Sequence, residues 1–186
     1  MLEAIDHKIM HCYPGMVAIV TAAHNGEENV MAAGWHSYIS FTPPIYGVAI
    51  GPERHTHQLV KESGKFAINF LPLEKARFIS QAGTYTGSQV NKFEKGGMSF
   101  EYGEATGAPV LNDAYVVYEC EVTDCNTYGD HDWFVGDIVQ FHQDKEKFLD
   151  NGLPDFDQLS IPLYLGRSKY TSVENNSRFE NHRIKD

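Results

Sequence analysis

The sequence predicts a mainly β protein, an antiparallel barrel with a few short helices on its outside, and three observations carry that expectation. Runs rich in Val, Ile, Tyr and Phe recur along the chain, turn residues separate them, and no regular strand-helix-strand alternation suggests a doubly wound sheet. With 186 residues, 42% of them hydrophobic and 12% aromatic, the chain suits one domain with a sizeable core, expected over about 13–170.

The first strand is Met16 to Ala22, apolar and β-branched. His24-Asn25-Gly26-Glu27 then forms a tight hairpin, because Asn-Gly readily takes positive φ. Val30 to Ile39 is the return strand. Its small residues Ala32-Ala33-Gly34 mark either a bulge or a place where a ligand or backbone comes close. Phe41-Thr42-Pro43-Pro44 makes a stiff corner, since two prolines remove two ladder donors, and Ile45 to Ile50 follows as a buried strand. Thr56 is placed to cap a short helix through Leu59, Val60 and Ser63 that stops at Gly64 in the left-handed position. Phe66 to Phe70 is the next strand. Leu73 to Gly83 and Gln89 to Gly96 read as short helical or irregular segments on the outside. Ala114 to Val122 and Trp133 to His142 are long antiparallel strands, and Leu163 to Tyr170 a shorter last one. The tail over 174–186, rich in Asn, Arg and Glu, is expected to be an exposed arm. No internal repeat or low-complexity linker divides the chain.

Charge and composition narrow the function classes. A net charge of -10 and a pI near 5.3 oppose a nucleic-acid partner, and no basic run is interleaved with aromatics. No stretch approaches the roughly 20 apolar residues that span a bilayer, so a soluble, cytoplasmic protein is expected. Cys12, Cys120 and Cys125 are odd in number and form no C-x-x-C pair, which reads as buried or incidental thiols.

Local donors still permit a small anion. Gly51-Pro52-Glu53-Arg54-His55-Thr56-His57 places a guanidinium, a hydroxyl and the free amides of a helix start in one stretch, as phosphate recognition requires. Ordinary helix capping explains Thr56 equally well, although it does not call for Arg54. Lys92 by itself reads as a solvated surface lysine.

A longer pattern joins these segments. Asn29-Val-Met-Ala-Ala-Gly-Trp35-x-Ser37-x-Ile-Ser40-Phe-x-Pro43-Pro44, then Arg54-x-Thr56, Phe66-Ala-Ile-Asn69, Asn91-Lys92-Phe93, Gly129-Asp130-His131-Asp132-Trp133-Phe134-Val135-Gly136-Asp137, and finally Tyr164-Leu165-Gly166 with Tyr170, occur in order. Taken together they resemble flavoredoxins and the flavin reductase-like family of FMN-binding split β-barrels, Greek-key-like antiparallel barrels with short peripheral helices.

The resemblance implies an FMN cofactor and a likeness to flavoproteins that are homodimers. On it, Arg54, Thr56 and Lys92 would grip the phosphate. Asn29 and the backbone of Ala32, Ala33, Gly34, Trp35 and Ser37 would line the isoalloxazine edge, with Asn29 alternatively a turn residue. Trp35 would pack beside the ring or stand in the core. His131 would lie on the flavin or nicotinamide side as the candidate catalytic group, or be a solvated loop histidine. Tyr164 would cover part of the ring or belong to the barrel core. Electrons would pass through FMN from NAD(P)H or from a redox protein; the absent G-x-G-x-x-G does not decide between them.

Two other readings remain open at this point. His55, His57 and His131 with nearby carboxylates would make a three-ligand metal centre of the β-barrel oxygenase kind, if their rings converge. A flavin-holding module without turnover is compatible with every motif above.

Overall fold

The computed structural model describes residues 2–180 and 182 and places eleven strands and three α-helices among them. The first hairpin forms as its turn requires: Asn25 and Gly26 take φ of 52° and 82° between β1 (Ala18–His24) and β2 (Glu27–Ala33). The expected return strand Val30 to Ile39 is two strands. β2 stops at Ala33, Gly34 and Trp35 bend, and β3 (His36–Phe41) begins afresh.

That break closes the fold. With β4 (Pro44–Ile50), β5 (Lys65–Phe70), β8 (Val116–Tyr128) and β9 (His131–Gln143), the main sheet has the antiparallel order β2-β1-β5-β8-β9-β4-β3. Its edge strands β2 and β3 would lie about 29 Å apart in a flat sheet. They are joined by two residues, which reach about 11 Å between flanking Cα atoms. The sheet must therefore curl until its edges meet, and the Ala49 amide, donating to the Trp35 carbonyl at 2.9 Å, carries the β3–β4 ladder one residue past His36 toward β2. The result is a split barrel. Of three hydrophobic clusters, the largest fills the barrel around Val20, Val48, Ile50, Phe66, Ile68 and Phe134.

α1 (His55–Ser63) covers β1 and β2 and ends at Gly64, whose φ of 68° lets its amide reach the Val60 carbonyl. Thr56 does not cap it. Arg54 holds the cap position, and Thr56 lies inside the first turn. After a short turn, α2 (Ala76–Thr84) packs on β2, and α3 (Lys92–Gly96) is capped by Asn91, whose side chain accepts from the Phe93 and Glu94 amides.

Two further differences from the sequence reading are local. Leu163 to Tyr170 is a hairpin, β10 (Ile161–Gly166) and β11 (Lys169–Val173), turned by Arg167 and Ser168 at φ of 52° and 58°. A small pair, β6 (Phe100–Tyr102) with β7 (Pro109–Leu111), was not expected at all. In the tail, whose residues 178–180 are exposed, Phe179 stacks on Phe156 at 5.2 Å; Asn181 and 183–186 lie outside the described residues. No helix among the described residues is long and apolar enough to cross a membrane.

Candidate functional site

A groove runs along the outer side of β2, between that strand, the start of α1, and α2. Ala32 lies at its middle and Arg54 overhangs it. The chain builds the groove with small residues: Gly83 on α2 faces Ala32, and a Cβ on Gly83 would come within 3.4 Å of the alanine Cβ. The largest of the adjoining spaces under Arg54, lined also by Tyr13, Gly34, Ile79 and Tyr164, measures about 310 Å³. That lies at the lower end of the roughly 300–1,000 Å³ typical of small-molecule sites.

One end of the groove gathers donors. Arg54 sits at the start of α1 with extended backbone, no side chain caps that helix, and the helix start from Arg54 to Thr56 lines the groove end. The Thr56 hydroxyl accepts a 3.0 Å hydrogen bond from Asn29 Nδ2, which leaves its own proton to donate. Lys92 is buried, contrary to the surface reading. Its Nζ donates to the carbonyls of Val30 at 2.7 Å and Ala82 at 2.9 Å, so one of its three protons is left over. Burial, and then the nearby Arg54 guanidinium, push its ammonium down to about 8. Arg54 itself pairs with Glu53 through Nε at 3.0 Å, so its terminal nitrogens remain available. The loop Thr84 to Gly87 closes this end.

The opposite end is aromatic. Trp35, half exposed at the seam, lies 4.8 Å from the His131 ring, and with Ala49, Tyr128 and Trp133 they border an open space of about 440 Å³. His131 Nδ1 bonds Asp130 Oδ1 at 2.8 Å, and this bond is the main cause that holds the Asp130 carboxyl below its usual value. A second aromatic group, Tyr13 edge-on to Tyr164 at 5.0 Å and Tyr164 against Tyr170 at 5.2 Å, walls the middle.

Most of the residues named from sequence therefore converge, but in altered positions. Asn29 is a buried strand residue, not a turn residue, and it stands at the donor end with Thr56 rather than at the Trp35 end. Ala33 turns its side chain into the barrel core and offers the groove only backbone. Ser37 does not join: it lies exposed on β3 with its hydroxyl on the Tyr38 carbonyl. The three histidines diverge, with His55 on Glu27, His57 on Asp132 and His131 on Asp130. No group of three His, Cys, Asp or Glu side chains suited to a metal ion is found among the described residues. Sequence reasoning missed Tyr13, Gly83 and Thr84; the run Gly83-Thr84-Tyr85-Thr86-Gly87, small and hydroxyl-rich between two glycines, was the available signal for the last two.

The comparisons with known proteins agree with this architecture. Residues 10–174 match the model of the flavin reductase-like domain. The structure of an FMN-binding protein from Thermus thermophilus with bound 1-cyclohex-2-enone superposes with a TM-score of 0.85 at 29% identity, covering 97% of this chain and 100% of that one. A flavoredoxin from Methanosarcina acetivorans gives a TM-score of 0.80 at 27% identity, with 95% of each chain covered. A ferric-chelate reductase (NAD(P)H) of Archaeoglobus fulgidus is 33% identical over 129 residues, 65% of this chain and 71% of that one. The chain spans 62% of the length of an Aeropyrum pernix relative to which it is 35% identical over 171 residues.

Proposed function

The chain belongs to the flavin reductase-like family, and from that premise we propose that it is an FMN-binding oxidoreductase that passes electrons through the bound cofactor. The observation that carries this reading is the polarity of one groove: Arg54, Thr56, the leftover proton of Lys92 and an uncapped helix start at one end, and small residues leading to Trp35 and His131 at the other. A phosphate dianion matches the first end, because charged donors on a helix start strengthen its hydrogen bonds. A flat heteroaromatic ring matches the second, where backbone and indole surface are accessible.

Bound there, FMN would supply the hydride and electron chemistry that no side chain of this protein offers. The chain's own residues do the rest. Arg54 and Lys92 neutralise the phosphate charge, Asn29 aims the Thr56 hydroxyl, and Tyr13 with Tyr164 keeps water from the middle of the groove. His131, held through Nδ1 by Asp130, has Nε2 left to give or take a proton at the ring end.

Candidate electron donors are suggested by relatives rather than by a motif. The Archaeoglobus relative uses NAD(P)H by name, and the Methanosarcina neighbour is a flavoredoxin, so a nicotinamide and a redox protein are the two donors to test. We also read the protein as a cytoplasmic homodimer. Phe41, 88% exposed, and the exposed Ile39 give the edge strand β3 apolar surface that a second copy would cover.

The test is an absorption spectrum of the purified protein with FMN, followed by anaerobic NADH and NADPH. Bound flavin bleached rapidly by a nicotinamide means a reductase, and bound flavin left oxidised means a carrier or holding module. Absence of flavin binding overturns the proposal.

A further inference from the structure

His57 takes no part in the groove, yet it is buried and points a ring nitrogen at a carboxylate. Its Nε2 donates a 2.8 Å hydrogen bond to Asp132 Oδ2, and its ring lies edge-on to Phe134 at 5.2 Å. The other Asp132 oxygen accepts from Thr127 Oγ1 at 2.6 Å, across the ladder pair that Thr127 makes with Asp132. Thr127 first, and then His57, hold the Asp132 carboxyl below its ordinary value, so it is an anion with both oxygens engaged. A buried, charge-assisted contact of this kind fixes geometry more strongly than an exposed pair.

Its position in the chain gives it consequence. His57 is next to Thr56 and in the first turn of α1, which presents the Arg54 end of the groove. Asp132 stands between His131 and Trp133, which form the aromatic end. The two ends of the groove belong to different elements, and this bond links them directly.

We propose that His57 is a positioning residue: through Asp132 it locks the end of the β8–β9 hairpin to α1, setting the distance between the phosphate end and the ring end of the groove. The inference rests on the flavin reading above. A ligand that touches both ends feels the loss of that distance, whereas one that touches a single end does not.

Three ligands separate the cases by calorimetry on the full chain: FMN, riboflavin, which lacks the phosphate, and inorganic phosphate, which lacks the ring. In His57→Leu, FMN binding weakens by about five- to hundredfold, the usual range of coupling between two sites, while riboflavin and inorganic phosphate bind as they do to the parent. His57→Gln, whose amide nitrogen reaches about as far as the imidazole Nε2, restores most of the FMN affinity. If His57→Leu fails to fold, Asp132→Ala, which removes the acceptor from the other side, gives the same comparison. Undiminished FMN binding in the variant overturns the proposal, and so does a parallel loss for all three ligands, which marks a general support of the fold. Failure of the parent protein to bind FMN overturns the flavin reading itself and is seen before any variant is made.

Discussion

Asn29 on β2 donates a 3.0 Å hydrogen bond from Nδ2 to Thr56 Oγ1 on α1, and so ties the strand edge to the helix start. Because that hydroxyl then accepts from Asn29, its own proton is directed away, toward the donor end of the groove. Asn29→Ala lets the hydroxyl turn and is expected to cost FMN binding about 0.5–1.5 kcal/mol, the net worth of one neutral hydrogen bond. Gly87→Ala should act likewise, since its Cβ would come 2.4 Å from Asn29 Oδ1 and push that side chain aside. Titration of flavin fluorescence with FMN and with riboflavin checks both variants; unchanged FMN affinity would mean that Thr56 does not face the phosphate.

Arg54→Ala and Lys92→Ala should each weaken FMN by about 1.5–3 kcal/mol, the range for a hydrogen bond to a charged group, and leave riboflavin nearly unaffected. Lys92→Ala also strands the carbonyls of Val30 and Ala82, so its folding stability must be measured beside its affinity. Equal losses for the two flavins would assign these residues to the fold.

The depressed Lys92 ammonium makes FMN affinity pH-dependent, with a definite sign. Its value of about 8 lies below the ordinary 10.5, so above about 8 the free protein has lost this proton and with it one cation. FMN affinity should therefore fall as pH rises through about 8, with proton uptake on binding in buffers of higher pH, because a phosphate dianion favours the charged lysine. Stability runs the opposite way. Between about 8 and 10.5 the unfolded chain holds a proton that the folded chain does not, so without ligand Lys92 destabilises the fold below 8 and less so toward 10.5. Calorimetry in buffers of different ionisation heat measures the uptake, and Lys92→Met should abolish it.

How far the sequence reaches is visible in single residues. Asn25-Gly26 was legible because a two-residue turn is chosen by local φ alone. The break at Gly34-Trp35 was not, since a strand that changes edges shows only in the closed sheet; what remained visible was the small-residue run that permits it. Arg54 and Thr56 were legible as a local cluster of anion donors and Trp35 through a resemblance carried by spacing, and all three border the groove. Lys92 was read as exposed when considered alone, because the two carbonyls that hold it lie 62 and 10 residues away in the chain. Tyr13 left no signal: it reaches Tyr164 across the fold from a segment without periodicity.

His131→Ala removes the ring packed on Trp35 and the partner of Asp130, while the donor end of the groove is untouched. The expected outcome is a change in the midpoint potential of the bound flavin, or in its rate of reduction, larger than the change in FMN affinity. Spectroelectrochemistry and stopped-flow reduction read the two quantities separately. A large affinity loss with unchanged potential would place His131 among the residues that simply hold the ligand.

Glu119 offers a prediction about the fold that is independent of any flavin. It is fully buried on β8, where Oε2 accepts from the amide and hydroxyl of Thr106 at 2.8 Å and 2.7 Å and Oε1 from His142 Nε2 at 2.8 Å. Burial alone would raise its carboxyl, but the bonds from His142 and Thr106 outweigh that and hold it below the ordinary 4.5. A lowered carboxyl stabilises the fold at pH above the unfolded value and loses that contribution as pH falls through the folded one. Glu119→Gln keeps the volume but removes the charge, and it replaces one oxygen with a donor that faces either the Thr106 amide or the His142 ring. Urea unfolding at pH 7 should show a loss of about 2–4 kcal/mol, in the range for charged hydrogen bonds left unmade in an interior. Repeated at falling pH, the gap between parent and variant should narrow as the parent's carboxyl takes up its proton. A gap that stays constant with pH would mean that shape rather than charge holds the loop over 103–108 in place.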